Sequence, residues 1–184
     1  MLPFFDAPVF AALNAGPHTP AAVIHAARWL SDGLPQVVGG LLVGALAAGR
    51  PNTRRAMLLC FVSLLLTWLM VHVFRWAFPL PRPAQLGMGI QWIEHGARAG
   101  FPSMHASTAF ALAMALSLAR LPRAALVAWA AAVAIGWSRL CLGVHFPSDV
   151  LAGAVMGSAG AWLAYRGTRN LKYPATLPGT VHNA

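Results

Sequence analysis

The chain has 184 residues, of which 58% are hydrophobic and only 9% are charged, and its mean hydropathy is +0.63. This composition, with apolar runs near 20 residues long, excludes an ordinary water-soluble globular protein and indicates an integral membrane domain. The formal net charge of +9 does not indicate a nucleic-acid partner, because the cations lie mainly at the ends of the apolar runs and in three short polar segments.

The N-terminal third is the least regular part of the chain. Gly16-Pro17 and the run from Asp32 to Pro35 interrupt it with residues that break helices. Residues Pro8–Leu30 therefore leave three alternatives open: a sixth membrane span, a re-entrant segment or an interfacial helix. The first residues, MLPFFDAPVF, have no basic start, so we do not expect a cleaved signal peptide.

Five further apolar runs predict membrane-spanning helices. Met57–Phe78 is the clearest, since about 20 residues at a rise of about 1.5 Å cross a hydrocarbon core of about 30 Å. The other runs are Leu34–Ala48, Met104–Ala119, Ala124–Trp137 and Val150–Tyr165. The run Leu34–Ala48 is short and rich in glycine, so it spans only if Ile24–Ser31 or the Arg50 end prolongs it.

Clusters of basic residues predict how these spans are oriented. The clusters follow the first, third and fifth spans and comprise Arg50, Arg54, Arg55, Arg120, Arg123, Arg166, Arg169 and Lys172. The positive-inside rule makes this face cytoplasmic, so the connections Leu80–Pro102 and Cys141–Ser148 face outward. We therefore predict an all-α, multi-pass membrane bundle with one domain over residues 1–170 and a flexible cytoplasmic tail over 171–184. The sequence leaves the oligomeric state open.

Three polar segments fall on the predicted outer face: Arg75–Pro83, Phe101–His105 and Ser138–Asp149. Polar groups beside apolar spans are costly and usually functional. Arg75, Arg82 and Arg139 supply three guanidinium forks, which bind phosphate through paired hydrogen bonds. Carboxylates that could neutralise them are few; the whole chain holds Asp6, Asp32, Glu94 and Asp149. This imbalance indicates an anionic ligand, such as a lipid phosphate.

Helix starts complete the predicted site. Ser103 and Met104 open a span whose N-terminus points outward, and such an end binds anions. We expect Asp149, in the first turn of the next span, to hold the Nδ1–H of His145 and leave Nε2 free to attack phosphorus. His105 then serves as the acid and base. Because one nearby carboxylate does not make a metal site, we expect neither a metal nor another cofactor.

Four further residues are candidates for secondary contacts with the substrate. His95 and Arg98 lie in the outer connection, where a polar residue also serves simply to keep the loop in water. Asp32 is either a turn residue or a substrate contact. Ser138 either caps the end of its helix or contacts the ligand.

The polar segments resemble the motifs of the type 2 phosphatidic acid phosphatase superfamily, K-x6-R-P, P-S-G-H and S-R-x5-H-x3-D. The chain has R-x6-R-P from Arg75 to Pro83, P-S-M-H from Pro102 to His105, and an unbroken S-R-x5-H-x3-D from Ser138 to Asp149. The resemblance implies a metal-independent phosphatase that forms a phosphohistidine. It implies that Arg82, Arg139 and Ser103 bind phosphate, that His145 is the nucleophile oriented by Asp149, and that His105 is the acid and base.

Two positions depart from the family pattern. Arg75 replaces the usual lysine, and Met104 replaces glycine or, in one subgroup of the family, aspartate. The short chain and the stretch HGARAGFPSMH are most similar to bacterial undecaprenyl pyrophosphate phosphatases of the bacitracin-resistance type. That resemblance implies a bacterial inner-membrane enzyme with an outward site that acts on a polyprenyl pyrophosphate. Phosphatidylglycerol phosphate, phosphatidate and lipid A are alternative substrates, and transfer of the phosphoryl group to a lipid is an alternative to hydrolysis. A non-catalytic lipid-binding or transport protein is the alternative outside the enzymes.

Overall fold

The computed structural model describes residues 4–96 and 98–169, so the tail predicted over 171–184 lies outside the described residues. Within that range the regular elements are all helical, as the sequence predicts. The α-helices are α1 (Asp6–Leu13), α2 (Ala21–Arg28), α3 (Leu34–Ala48), α4 (Pro51–Ala77), α5 (Met104–Leu118), α6 (Pro122–Cys141) and α7 (Pro147–Thr168). A 3-10 turn, Pro83–Leu86, lies in the long connection between α4 and α5.

The N-terminal third differs from the expectation of a break at Asp32–Pro35. A π-helical turn, Trp29–Gly33, joins α2 directly to α3, and the N–H of Leu34 donates to the carbonyl of Trp29. Pro35 lies just after this wider turn, where its missing N–H and its ring are tolerated instead of ending the helix. The break at Gly16-Pro17 is present and separates α1 from α2. The first long helical segment is therefore Ala21–Ala48, which is the prolongation that the short run Leu34–Ala48 requires.

Five long helical segments occupy the five predicted spans. In the described part of the chain, three are long and apolar enough to cross a membrane: Ala21–Ala48, Pro51–Ala77 and Pro122–Cys141. The helix Met104–Leu118 is apolar but shorter, and α7 has 22 residues whose glycines and serines reduce its hydropathy. Large apolar side chains such as Leu65, Val127 and Val155 remain exposed around the outside, as expected for a surface that faces lipid.

Small residues bring α5 and α7 into close contact. A methyl group at Gly157 would lie 2.0 Å from the carbonyl oxygen of Ser107, and one at Gly153 would lie 2.8 Å from that of Ser103. Neither position has room for a side chain, so the two backbones approach more closely than larger residues permit. This approach fixes the start of α5 against the start of α7, where the polar segments meet.

Candidate active site

The polar segments converge at one end of the helical bundle. The end of α4 supplies Arg75, the start of α5 supplies His105, and the connection between them supplies Arg82. Arg139 comes from the last turn of α6, and His145 from the turn before α7. A pocket of about 190 Å³ opens at this end of the bundle and is lined by Arg75, Arg82, His95, Gly96, Arg98 and His105. Arg139 and His145 are buried and do not line it.

Arg82 is the central cation of this pocket and is only 3% exposed. Its Nε donates to the carbonyl of Arg98 at 3.0 Å, and its Nη1 donates to the carbonyl of Val144 at 2.9 Å. The same Nη1 lies 3.2 Å from Nε2 of His145. One guanidinium therefore ties the outer connection to the turn before α7 and points its charge at the imidazole.

His145 and Asp149 form a buried pair under Arg82. Oδ2 of Asp149 lies 3.2 Å from Nδ1 of His145 and accepts a hydrogen bond from the N–H of Phe146 at 2.8 Å. Because a carboxylate can only accept, this contact places the proton on Nδ1 and leaves a lone pair on Nε2. The sequence prediction of this hydrogen bond is confirmed, as is the start of α7 between the two residues.

The charges of the site favour neutral imidazoles. Burial, together with Arg82, Arg139 and Arg75, lowers the pKa of His145 well below its ordinary value. Burial and the same three arginines lower the pKa of His95 to about 4. Burial and Arg75 lower the pKa of Arg82 to about 10, so its guanidinium remains charged at neutral pH. The result is a cationic pocket that contains neutral acceptor nitrogens.

Arg139 is fully buried and makes contacts that the sequence did not indicate. Its Nη1 donates to Oγ of Ser31, and its Nη2 lies 3.2 Å from Nε2 of His95. Ser31 Oγ donates in turn to Oδ1 of Asp32 at 2.7 Å. Among the described residues, Nε of Arg139 is one of two buried side-chain atoms without a hydrogen-bond partner. Arg139 does not line the pocket itself, but it contacts His95, which does, and its unpaired donor adds to the positive charge at this end of the bundle.

Arg75 and the start of α5 form the opposite wall. Both Nε and Nη2 of Arg75 donate to the carbonyl of Pro102, at 3.1 and 2.7 Å. Ser103 is fully buried; its Oγ caps α5 by accepting from the N–H of Ala106 at 3.5 Å, and its own N–H donates to the carbonyl of Asp149 at 2.9 Å. Met104 is the first residue of the helix and is half-buried. This wall therefore places a helix N-terminus beside the cation of Arg75.

Of the four candidates for secondary contacts with the substrate, two line the pocket and two do not. His95 and Arg98 line the pocket, and the half-buried His95 contacts Arg139. Asp32 is exposed and reaches the site only through Ser31. Oγ of Ser138 is fully buried and donates to the carbonyl of Ile135 within its own helix, at 2.7 Å.

Sequence reasoning missed two residues near the site, Ser31 and Asp6. Both depend on contacts over more than 100 residues, to Arg139 and Ser148. The sequence signal for Asp6 was the scarcity of acids, since a chain with four carboxylates is expected to use each of them.

Within residues 4–96 and 98–169, no three His, Cys, Asp or Glu side chains are close enough together to hold a metal ion. Nε2 of His145 faces Arg82, Nε2 of His95 faces Arg139, and Oδ2 of Asp149 accepts from the N–H of Phe146.

An apolar groove of about 430 Å³ runs beside the pocket, along the outer half of α4. It is lined by Leu69, Met70, Val73, Phe74, Ala77, Phe78 and Met156. Phe74 directly precedes Arg75 and packs against Phe101, with ring centroids 5.5 Å apart. Phe74 of the groove and Arg75 of the cationic pocket are therefore consecutive residues of α4.

Comparison with known proteins gives a consistent picture. A family model described as the PAP2 superfamily matches residues 56–173, which is more than half of the chain. The Escherichia coli (strain K12) protein YbjG is 34% identical over 165 residues, covering 87% of this chain and 81% of that protein. YbjG is provisionally named an undecaprenyl-diphosphatase. A lipid A 4'-phosphatase of Bacteroides thetaiotaomicron is 37% identical over 93 residues, covering 47% of this chain and 40% of that protein.

Two crystal structures share the fold. The structure of Aquifex aeolicus LpxE superposes with a TM-score of 0.72 at 23% identity, covering 88% of this chain and 95% of that one. A transmembrane PAP2-type phosphatidylglycerolphosphate phosphatase from Bacillus subtilis superposes with a TM-score of 0.64 at 19% identity, covering 93% of this chain and 88% of that one. At these identities the likeness concerns the arrangement of helices.

Proposed function

The chain belongs to the PAP2 superfamily and is a membrane lipid phosphatase, and from this premise we propose that it hydrolyses undecaprenyl pyrophosphate to undecaprenyl phosphate through a phosphohistidine. The observation that carries the proposal is the buried His145, which has Asp149 on one ring nitrogen and the cation of Arg82 at the other. A lone pair that faces the guanidinium of Arg82, which itself lines the pocket, suits a nucleophile for phosphorus once the phosphate takes that guanidinium.

In the proposed mechanism, the terminal phosphate binds between Arg75, Arg82 and Arg139. Its oxygens replace Nε2 of His145 as the partner of Arg82 Nη1 and take the unpaired Nε of Arg139. The fixed positive charges stabilise the negative charge of the transition state without reorganising. The N-terminus of α5, at Ser103, adds backbone donors on the same side.

The reaction then proceeds in two balanced steps. The lone pair of His145 Nε2 forms a bond to phosphorus while the bond from phosphorus to the bridging oxygen breaks. His105, which takes up a proton once the negative charge of the bound phosphate offsets the arginines, gives that proton to the bridging oxygen. Asp149 keeps the proton on Nδ1 and stabilises the positive charge of the phosphorylated ring. In the second step His105 takes a proton from water, the hydroxyl attacks phosphorus, and Nε2 leaves with its electron pair. Inorganic phosphate is released and both histidines return to their starting states.

The apolar groove beside Arg75 supports a lipid as the substrate. In this proposal the organic group of a phosphate bound in the pocket extends past Arg75 toward Phe74 and the rest of the groove, which offer a hydrophobic surface toward the bilayer. A polyprenyl chain has the apolar character that this surface favours. The similarity to YbjG over most of both chains supports the polyprenyl pyrophosphate over other lipid phosphates.

We propose further that the site lies on the periplasmic face of a bacterial inner membrane. The basic residues at the opposite end of the bundle, such as Arg54, Arg123 and Arg166, are exposed and suit a cytoplasmic surface. Labelling of cysteines introduced one at a time at the exposed Ala84 and Gly167, in a chain whose own Cys60 and Cys141 are replaced, with a membrane-impermeant reagent tests this. Reaction at position 84 alone supports the orientation, and reaction at position 167 alone contradicts it.

The function is tested by phosphate release from a panel of purified lipids in detergent: undecaprenyl pyrophosphate, phosphatidylglycerol phosphate, phosphatidate and lipid A. We expect the highest kcat/KM on the polyprenyl pyrophosphate and no turnover by His145→Ala. The matched control is His72→Ala, an exposed histidine of α4, which should keep normal activity. Equal or better turnover of another lipid would reject the substrate, and no turnover of any lipid by the normal protein would favour a non-catalytic lipid-binding role.

The second candidate substrate is lipid A. The similarity to a Bacteroides thetaiotaomicron lipid A 4'-phosphatase favours it, although that similarity covers 47% of this chain. The same panel separates the two, because lipid A carries sugar phosphates instead of a pyrophosphate. Preference for lipid A would keep the mechanism and replace the substrate.

A further inference from the structure

The proposed mechanism leaves one fully buried carboxylate without a role. Asp6, in the first turn of α1, is 0% exposed although it lies in a short helix at the edge of the bundle. Its Oδ1 accepts from the N–H of Ser148 at 2.8 Å, and its Oδ2 accepts from Oγ of Ser148 at 2.5 Å. Removing a carboxylate from water is costly. The two hydrogen bonds to one residue offset that cost.

Ser148 is the residue between the two members of the buried pair. It precedes Asp149 and lies in the first turn of α7, where backbone N–H groups have no partner within the helix. With Asp6 on the N–H and hydroxyl of Ser148, the carboxylate of Asp149 remains on His145 and Phe146. Without Asp6, those two donors of Ser148 would compete for the nearest carboxylate, which is Asp149.

The contact extends to the start of α5 as well. The backbone carbonyl of Asp149 accepts from the N–H of Ser103, two residues before His105. Helix α1 is itself held by Phe10, whose ring lies 5.4 Å from that of Phe146 and which is 1% exposed. A single chain of contacts therefore leads from Asp6 through Ser148 to the segments that carry both histidines.

We propose that Asp6 is a positioning residue that acts through Ser148 and keeps the carboxylate of Asp149 on Nδ1 of His145. The role rests on the proposed function, since it concerns the geometry of the nucleophile. Asp6 touches neither the pocket nor the groove, so its effect falls on the chemical step and not on substrate binding. This role depends on the two hydrogen bonds that Asp6 accepts from Ser148 more than on its negative charge, because both hydrogen bonds hold that one residue.

The first test compares kcat and KM of Asp6→Ala, Asp6→Asn, Ser148→Ala and the double variant Asp6→Ala/Ser148→Ala on the lipid that the normal enzyme hydrolyses best. We expect Asp6→Ala to lower kcat by about 10- to 100-fold, the equivalent of a hydrogen bond to a charged group, with KM unchanged. Asp6→Asn should recover most of this loss, since an amide can accept from the N–H of Ser148 and donate to its Oγ. The double variant should be no slower than Asp6→Ala alone.

The control is Phe10→Leu, which disturbs the packing of α1 but keeps both hydrogen bonds. It should lower the unfolding temperature and leave kcat per folded molecule near normal. Three results would each overturn the proposal: normal kcat in Asp6→Ala, Asp6→Asn as slow as Asp6→Ala, or losses in the double variant that simply multiply.

A second measurement needs no substrate. Nitrogen NMR of the enzyme with labelled histidine reports which ring nitrogen of His145 carries the proton, with His145→Ala used to assign the signal. We expect Nδ1–H in the normal enzyme and a mixture of the two forms in Asp6→Ala. An unchanged Nδ1–H signal in Asp6→Ala would reject the positioning role, whatever the lipid panel shows. Absence of turnover in the lipid panel alone would reject only the proposed function.

Discussion

Substitution of Arg82 by lysine separates the shape of the guanidinium from its charge. Arg82 contacts the carbonyls of Arg98 and Val144 from opposite sides of its fork and lies 3.2 Å from Nε2 of His145. A lysine ammonium keeps the charge but is a single point, so it cannot reach both carbonyls and the phosphate together. Loss of one to two hydrogen bonds from a charged group, at about 1.5–3 kcal/mol each, corresponds to a fall of roughly 10- to 25,000-fold in kcat/KM.

The assay is initial-rate phosphate release from the preferred lipid, with the unfolding temperature measured in parallel. Arg28→Lys is the matched control, because Arg28 also donates to a loop carbonyl, that of Trp92 at 2.6 Å, but is exposed and outside the pocket. We expect Arg28→Lys to retain normal kcat/KM. If Arg82→Lys stayed within about threefold of the normal enzyme, less than 1 kcal/mol, the fork would not be used and the assignment of Arg82 would be refuted.

Three further predictions concern packing, pH and metal. Gly157→Ala should lower kcat and destabilise the fold by about 1–3 kcal/mol, because its methyl group would meet the carbonyl of Ser107, whereas Gly167→Ala on the same helix has open space and should be neutral. Folding stability should fall as the pH drops from 6.5 toward 4, because the pKa of His95 in the folded protein lies below its ordinary value and the unfolded chain takes up the proton first. Chemical denaturation at several pH values should show that the free energy of unfolding of His95→Gln depends less on pH than that of the normal protein. An equally steep dependence would contradict this assignment. Phosphate release should continue in excess EDTA, and inhibition that added Mg²⁺ or Zn²⁺ reverses would contradict the metal-free mechanism.

Local patterns predicted the parts of this structure that depend on neighbouring residues. Apolar runs long enough to cross a bilayer placed the five long helical segments, and the spacing of His145 and Asp149 around Pro147 predicted both the helix start and the hydrogen bond between them. These features follow from helical geometry and capping alone. The scarcity of carboxylates pointed to Arg82 and Arg139 as phosphate-binding cations, and the fold brings Arg82 to His145 and Arg139 to His95.

Other features depend on contacts that no local pattern records. A proline is expected to end a helix, but here the helix continues past Asp32–Pro35 because a π-helical turn accommodates Pro35. Ser31 meets Arg139 only because α2 packs beside α6. Asp6 meets Ser148 across most of the chain length. Each of these positions is set by tertiary packing, so the sequence could show the residue types but not their partners.

The central claim is that His145 carries the phosphoryl group between the lipid and water. Rapid quenching of the enzyme with undecaprenyl pyrophosphate radiolabelled at the terminal phosphorus, followed by peptide mapping under alkaline conditions, tests it most directly. We predict a transient label that is acid-labile, lies on the peptide that contains His145, and decays at a rate compatible with turnover. Full turnover by an enzyme that never carries the label on His145 would contradict the account.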